Sequence, residues 1–507
     1  MLSIFATTEQ RTALEEIIES EDRLAELVDI RPLQKAEVVA SDTSLIVEEN
    51  RISLPLDWHN LSPPYLLNQQ LPFDAALLLG LIFNKLRNME KAWNYLQAYP
   101  NLQYEIGIMN RLRNGFEMEE EEWRGKMEAA IGNDEFERYR RLHNAAVIRH
   151  YGHLNPAPRQ AAPGTWYQEA LEAAPDAEHY AFTARHFAVL MLDANALTEA
   201  EDLLNHSIDS PISEEAKNAL RSVLTNIWMK QLKVPYDAVL LEKLKTTLWQ
   251  VLEYYENHNR EVEAGLILID AAHIANISES YTESLGYLSK AIGIFEQAEL
   301  PELVGNAQLR KGTLLYTWAQ NGNPQFYKPA IEAYQQSLKV FRQSVAPDVF
   351  AEIHHQLGML YAEMPAENKK RGIWAGVASA SFQEALNFYN KEQHPYEYAM
   401  ICNNFGNALS KFPPAIHSDN FEKSLFYYQE ALSIRTADYP YERAITLLNY
   451  LEASWKVGNA TDAFNQKRYE DMLLKAREIG QLVQEPDILN EAQKHLDMLE
   501  ELKKSVS

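Results

Sequence analysis

The chain has a single cysteine, Cys402, among 507 residues. That excludes an internal disulfide framework and any zinc site built from several thiolates. Cys402 lies inside a run of helical apolar periodicity, where the expected role is that of a small buried hydrophobe rather than a nucleophile. Glycine is scarce as well, at 19 residues, while hydrophobic side chains make up 46% of the chain, a balance that points to a folded, helix-rich protein. Positive charge is in deficit, with 47 Lys and Arg against 72 Asp and Glu, a net charge of −25. So few cations work against binding phosphate backbones, and nucleic acid is not the expected partner. The acidic run Glu119–Glu122 is read as a solvated helix face, with attraction of a basic partner as the other reading. No apolar run reaches the roughly 18 residues that suggest a membrane span. The opening stretch MLSIFATTEQRTALEEIIESED turns acidic where a secretory signal would need a basic and then a long apolar segment. The expectation is a soluble, cytoplasmic protein that does not use a membrane.

Signatures of catalysis are missing too: there is no GxxxxGK[ST], GxGxxG, HExxH or GxSxG. The histidines fall in two small groups, His150 with His153 and His354 with His355. The first pair could share a helical face, but it lacks a third ligand at readable spacing, and Gly152 between them suggests a loop. No catalytic residue, metal site or cofactor is therefore expected, and a metal-dependent enzyme using the histidines stands only as a lesser reading.

What the sequence does have is a repeat. Four segments align in the C-terminal half: SLGYLSKAIGIF from Ser284, AIEAYQQSLKVF from Ala330, ASASFQEALNFY from Ala378 and SLFYYQEALSIR from Ser424. Their starts are 46, 48 and 46 residues apart, and a fainter copy begins 45 residues later at Tyr469. Pro301, Pro347, Pro395, Pro440 and Pro486 keep the same beat, each preceding an apolar-periodic run, as expected of proline in the first turn of a helix. Eleven residues beyond the first three prolines lie Gly312, Gly358 and Gly406; the fourth copy has Leu451 there. Each unit therefore reads as a helix A with a central glycine, a turn-forming loop, and a helix B carrying a small-large-small stripe. Such a pair cannot bury its apolar face alone, but a stack of pairs can, which makes a solenoid.

This pattern resembles the tetratricopeptide repeat (TPR), whose glycine is matched by Gly312, Gly358 and Gly406, with Gly265 as an earlier copy. Its Ala-x3-Phe-x2-Ala element is matched by Ser284/Leu288/Ala291, Ala330/Tyr334/Ser337, Ala378/Phe382/Ala385 and Ser424/Tyr428/Ala431. The unit here is about 46 residues against the family's 34, and looks like the long repeats of bacterial multi-repeat proteins, including those attached to caspase-like CHAT proteases. Upstream, Leu79-Gly80, Phe83 and Ala92 suggest one repeat of ordinary length, and the stretch from Tyr180 another hairpin. The resemblance implies an all-α fold, a right-handed α-solenoid of antiparallel helix pairs with a less regular N-terminal region. Three parts are read: an irregular 1–72 with a short hairpin in VVASDTSLIVEENRISL as one reading, degenerate helical repeats over 73–232, and the long-repeat array over 233–507, after a junction near KVPYD.

The register of the family's concave groove, carried over to helix A, implies a binding face of Arg310, Tyr316, His355, Gln356, Asn403, Asn404, Asn407, Asn449 and Trp455. Asn403 and Asn407, four apart, lie on one helical face, and an amide can both donate to and accept from a peptide backbone. Arg310 could take a carboxylate in bidentate fashion. The competing reading has the asparagines capping turns or bonding to the neighbouring repeat, because buried amides must be satisfied. The aromatic stripe of Tyr334, Phe382 and Tyr428 reads as core. The expected function is a non-catalytic protein-interaction scaffold or adaptor that holds an extended peptide or a helix of a partner. The alternative is a peptide-gated sensor whose curvature changes on binding.

Overall fold

The computed structural model describes residues 2–33, 44–58, 60, 62–119, 123, 134–152, 163–233, 235–365, 368–414, 419–457 and 465–506. His153, most of the acidic run (120–122) and most of the VGNATD loop lie outside these residues. The chain divides into two compact units, Met1–Glu263 and Ala264–Ser507. The boundary falls downstream of the KVPYD junction.

The first unit opens with a mixed sheet. Strands β1 (Leu2–Ala6), β2 (Val28–Pro32), β3 (Ser44–Glu48), β4 (Arg51–Ser53) and β5 (Gln70–Pro72) lie in the order β2-β1-β3-β4-β5. β1 runs parallel to both β2 and β3, with helix α1 (Thr8–Glu19) crossing between β1 and β2. The sequence reading had no parallel strands in the less regular start of the chain, because a five-residue strand leaves little alternation to read. β3 and β4 pair antiparallel across Glu49 and Asn50, both at positive φ, as the two-residue turns that match strand twist require. Alternate residues Leu2, Ile4 and Ala6 are buried with Leu14 and Ile18 of α1 and Leu45 and Val47 of β3. This layer closes on α2 (Ala75–Lys85), through Leu77, Leu78, Leu81 and Ile82, and on α3 (Met89–Tyr95), through Ala92.

The rest of the unit is helical: α4 (Pro100–Arg113), α5 (Glu135–Tyr151), α6 (Pro163–Glu172), α7 (Ala177–Asp193), α8 (Leu197–Ile208), α9 (Glu214–Gln231) and α10 (Ala238–Asn257). The proline-rich segment after β4 has no partner strand for most of its length, so side chains satisfy its backbone. Asn144 exchanges two 2.8 Å hydrogen bonds with the backbone of Leu66, Arg140 donates to the Leu66 carbonyl, and His143 Nε2 meets the Pro64 carbonyl at 2.9 Å. Arg185 donates to the carbonyl of Trp58.

The second unit contains α11 (Glu261–Ile277), α12 (Tyr281–Gln297), α13 (Pro301–Gln320), α14 (Tyr327–Val340), α15 (Pro347–Glu363), α16 (Asn368–Phe388), α17 (Pro395–Lys411), α18 (Asn420–Ile434), α19 (Pro440–Ser454), α20 (Gln466–Leu482) and α21 (Pro486–Val506). They pack as successive antiparallel pairs, the solenoid layout expected of the array. The five periodic prolines each open a helix A. Among the glycines, a Cβ at Gly312 would stand 2.8 Å from Tyr334, at Gly358 3.0 Å from Phe382, and at Gly406 2.5 Å from Tyr428. Glycine is thus what lets each helix B lay its aromatic ring flat on helix A.

Gly265 does not belong to that set. Its missing Cβ faces Phe295 at 2.7 Å, just as Gly305 faces Phe341 at 2.8 Å. The residue of α11 that packs with Leu288, the counterpart of Tyr334, is Ala272. The register in α11 is therefore seven residues later than the glycine spacing suggests. Two turns of helix return a side chain to nearly the same face, so periodicity alone cannot separate the two registers.

Candidate functional site

The face of interest is the A-helix row α11, α13, α15, α17, α19 and α21. In its C-terminal part the polar groups are joined to one another. Asn404 Nδ2 donates to His355 Nε2 at 3.0 Å and to Met359 Sδ at 3.4 Å, linking α17 to α15. Asn403 Nδ2 donates to Asn404 Oδ1 at 3.4 Å, and Asn449 Nδ2 donates to Asn403 Oδ1 at 3.3 Å, linking α19 to α17. Tyr316 and Gln320 both donate to Glu363 Oε2, at 2.7 and 2.9 Å, joining α13 to α15. Trp455 Nε1 donates to His495 Nδ1 at 3.0 Å, reaching α21. Asn407 accepts from the hydroxyl of Tyr428 at 2.7 Å, a bond within one pair.

Seven of the nine expected residues are thus engaged in the solenoid itself. Tyr316, His355 and Asn403 are buried, at 5%, 4% and 6% exposure. Burial holds the imidazole of His355 neutral, its pKa lowered to about 4, and a neutral ring is what can accept from the Asn404 amide. The bonds to neighbouring repeats at Asn403, Asn404 and Asn449 are those of the second reading of the asparagines.

Arg310 and Gln356 are placed differently. Arg310 is exposed, and among the described residues its guanidinium makes no hydrogen bond or ion pair. With Gln356 it lines a cavity of about 330 Å³ between α11, α13 and α15. The corrected register of α11 brings Ile269, His273 and Asn276 into the same wall, and Ser284, Asn306, Thr313 and Glu352 add to the polar lining. Its floor is apolar, made by Leu288, Leu314 and Phe341. Asn276 Oδ1 is buried there without a hydrogen-bond partner. Half-buried Asp270 sits nearby, its carboxyl pushed up to about 7 by burial and pulled partly back by the Arg310 charge. The sequence reading carried the groove register only to the units from Gly312 onward and named no residue of α11.

A larger cavity, about 590 Å³, lies in the first unit and is lined by Asp176, Glu178, His179 and Glu215. Three carboxylates of its lining are already used: Glu178 accepts from Ser213, Asp176 pairs with His179, and Glu215 pairs with Arg260. His150 bonds to the Tyr167 hydroxyl, and the His354 ring lies tilted against Phe350 with ring centroids 4.4 Å apart. Among the described residues no group of three or more His, Cys, Asp or Glu is placed to hold a metal, and no helix is long and apolar enough to cross a membrane. Cys402 is buried, and burial raises its thiol to about 12.

No protein-family model and no curated protein sequence matches the chain. Among solved structures, a human IFIT1 dimer with m7Gppp-AAAA is similar at 12% identity and a TM-score of 0.43, over 85% of this chain and 90% of that one. The TPR domain of P58(IPK) is similar at 14% identity and a TM-score of 0.22, over 83% of this chain and 99% of that one.

Proposed function

We propose that the chain is a non-catalytic binding scaffold whose second unit holds an extended segment or a helix of a partner protein on its A-helix face. The observation that supports this most is the Arg310 guanidinium, exposed and without a hydrogen bond among the described residues, beside a row in which seven polar and aromatic residues are bonded to one another or to the solenoid. A guanidinium whose donors make no hydrogen bond, with only the half-buried Asp270 carboxyl nearby, is available to a carboxylate or backbone carbonyl of a partner. In this reading Arg310 and Gln356 make the contacts, and the asparagine seam from His355 to Asn449 keeps successive helices in register beside them.

The test is capture of partners from native extract with wild type, Arg310→Glu, and the Asn403→Ala/Asn407→Ala pair, each checked for folding by circular dichroism. Loss of one protein selectively in Arg310→Glu, with folding unchanged, supports the reading. An identical set of captured proteins for wild type and Arg310→Glu overturns the role of this face.

A further inference from the structure

We infer that the cavity between α11, α13 and α15 is a binding site for a small zwitterion, of the class of free amino acids and dipeptides. The argument starts from a contrast along one row of helices. From α13 to α21 each step is bridged by a side-chain hydrogen bond at the groove register, through Glu363, Asn404, Asn449 and Trp455. Between α11 and α13 no such bridge occurs among the described residues. What stands there is the cavity of about 330 Å³, a volume at the small end of ligand pockets.

The unmatched groups on its walls have opposite needs. Arg310 offers a fork of donors with no acceptor, which suits a carboxylate. Asn276 Oδ1 is a buried acceptor with no donor, which costs free energy until an N–H reaches it. Glu352, exposed on the opposite wall, adds a second acceptor with a negative charge. A ligand that satisfies all three carries a carboxylate and an ammonium group. The floor of Leu288, Leu314 and Phe341 suits an apolar body between them. A phosphate or a simple dianion would answer Arg310 but would meet Asn276 Oδ1 and Glu352 with like polarity. The site shares Arg310 with the scaffold reading but needs no macromolecular partner, so titration with small zwitterions tests it separately from partner capture.

The experiment is isothermal titration of the full chain with the proteinogenic amino acids and a set of dipeptides at millimolar concentration. N-acetyl-leucine and leucinamide, each lacking one of the two charges, serve as controls. At least one zwitterion is expected to bind saturably and the single-charge controls to bind far more weakly. Arg310→Ala should weaken binding about tenfold or more, as loss of a charge-assisted contact does. Asn276→Leu should abolish it by filling the space, while melting at or above the wild-type temperature, since it removes an unpaired buried acceptor. Absence of saturable binding by every zwitterion, or retention of full affinity in both variants, overturns the proposal.

Discussion

At the scale of single residues, the asparagines of α17 show how one side-chain type serves two ends. Asn403 is buried and its amide joins Asn404 to Asn449, so Asn403→Ala leaves two partners short of a bond. The expected cost is roughly 1–3 kcal/mol, read as a lower denaturation midpoint, and a double-mutant cycle with Asn449→Ala should show the two losses to be coupled. Asn407 is half-buried and loses only the Tyr428 hydroxyl, so Asn407→Ala should cost about 1 kcal/mol. Asp270 carries a different signature. Its folded-state pKa of about 7 lies above the ordinary 3.8, so the native state disfavours the charged form. Asp270 is then neutral in its effect at acid pH, and its cost to stability grows as pH rises through that interval and is complete above about 7. Asp270→Asn should therefore match wild type near pH 4 and exceed it by roughly 1–3 kcal/mol at pH 8. Urea denaturation at the two pH values measures the difference, and equal gains at both would show that Asp270 is not desolvated as described.

At the scale of elements, the A and B helices are held together by ring-on-glycine contacts. Gly406→Ala would bring a methyl group to 2.5 Å from Tyr428, and the ring cannot retreat because it is itself fully buried. Overpacking of this kind costs roughly 1–3 kcal/mol. Gly358→Ala, at 3.0 Å from Phe382, should cost less. Gly286 and Gly293 lie inside α12 with open space around the missing Cβ, and Ala at either should raise stability by about 0.5–1 kcal/mol through helix propensity alone. Thermal melts of the four variants test the ordering. A stabilising Gly406→Ala would mean that the pair α17 and α18 packs less closely than the structure has it.

At the scale of the whole molecule, acid should open the first unit at a definite place. His143 is buried and His150 half-buried, and desolvation lowers both to about 4, while His186 is lowered further by burial and by the nearby Arg185 charge. A histidine whose folded pKa is depressed supports the native state above its unfolded value of 6.5, and that support is lost as pH falls toward about 4. His143 holds the backbone at Pro64, so the segment 62–67 should lose its anchor first. Hydrogen exchange, corrected for its intrinsic pH dependence, should rise in this segment before it rises in α17. Earlier opening of α17 would place the acid-sensitive point at His355 instead.

Much of the second unit was legible from spacing. Prolines that cannot sit in a helix interior marked where each helix A begins, and the small-large-small stripe marked helix B, because both are local consequences of backbone geometry. The polar positions of helix A were legible as a face as well. Their division into bonded and free was not, because whether an amide meets another amide or solvent depends on the step between repeats, which no single helix encodes. The register of α11 was hidden for a related reason: a shift of two turns keeps the same face inward, and only contact with Leu288 distinguishes Ala272 from Gly265. The parallel pairings of the N-terminal sheet were hidden because they join Leu2–Ala6 to two distant strands and are nonlocal. Local chemistry thus determined the elements and their repeat. Tertiary packing alone decided which polar groups close on one another and which, at Arg310 and Asn276, are left facing a cavity, since that depends on distances between helices far apart in the chain.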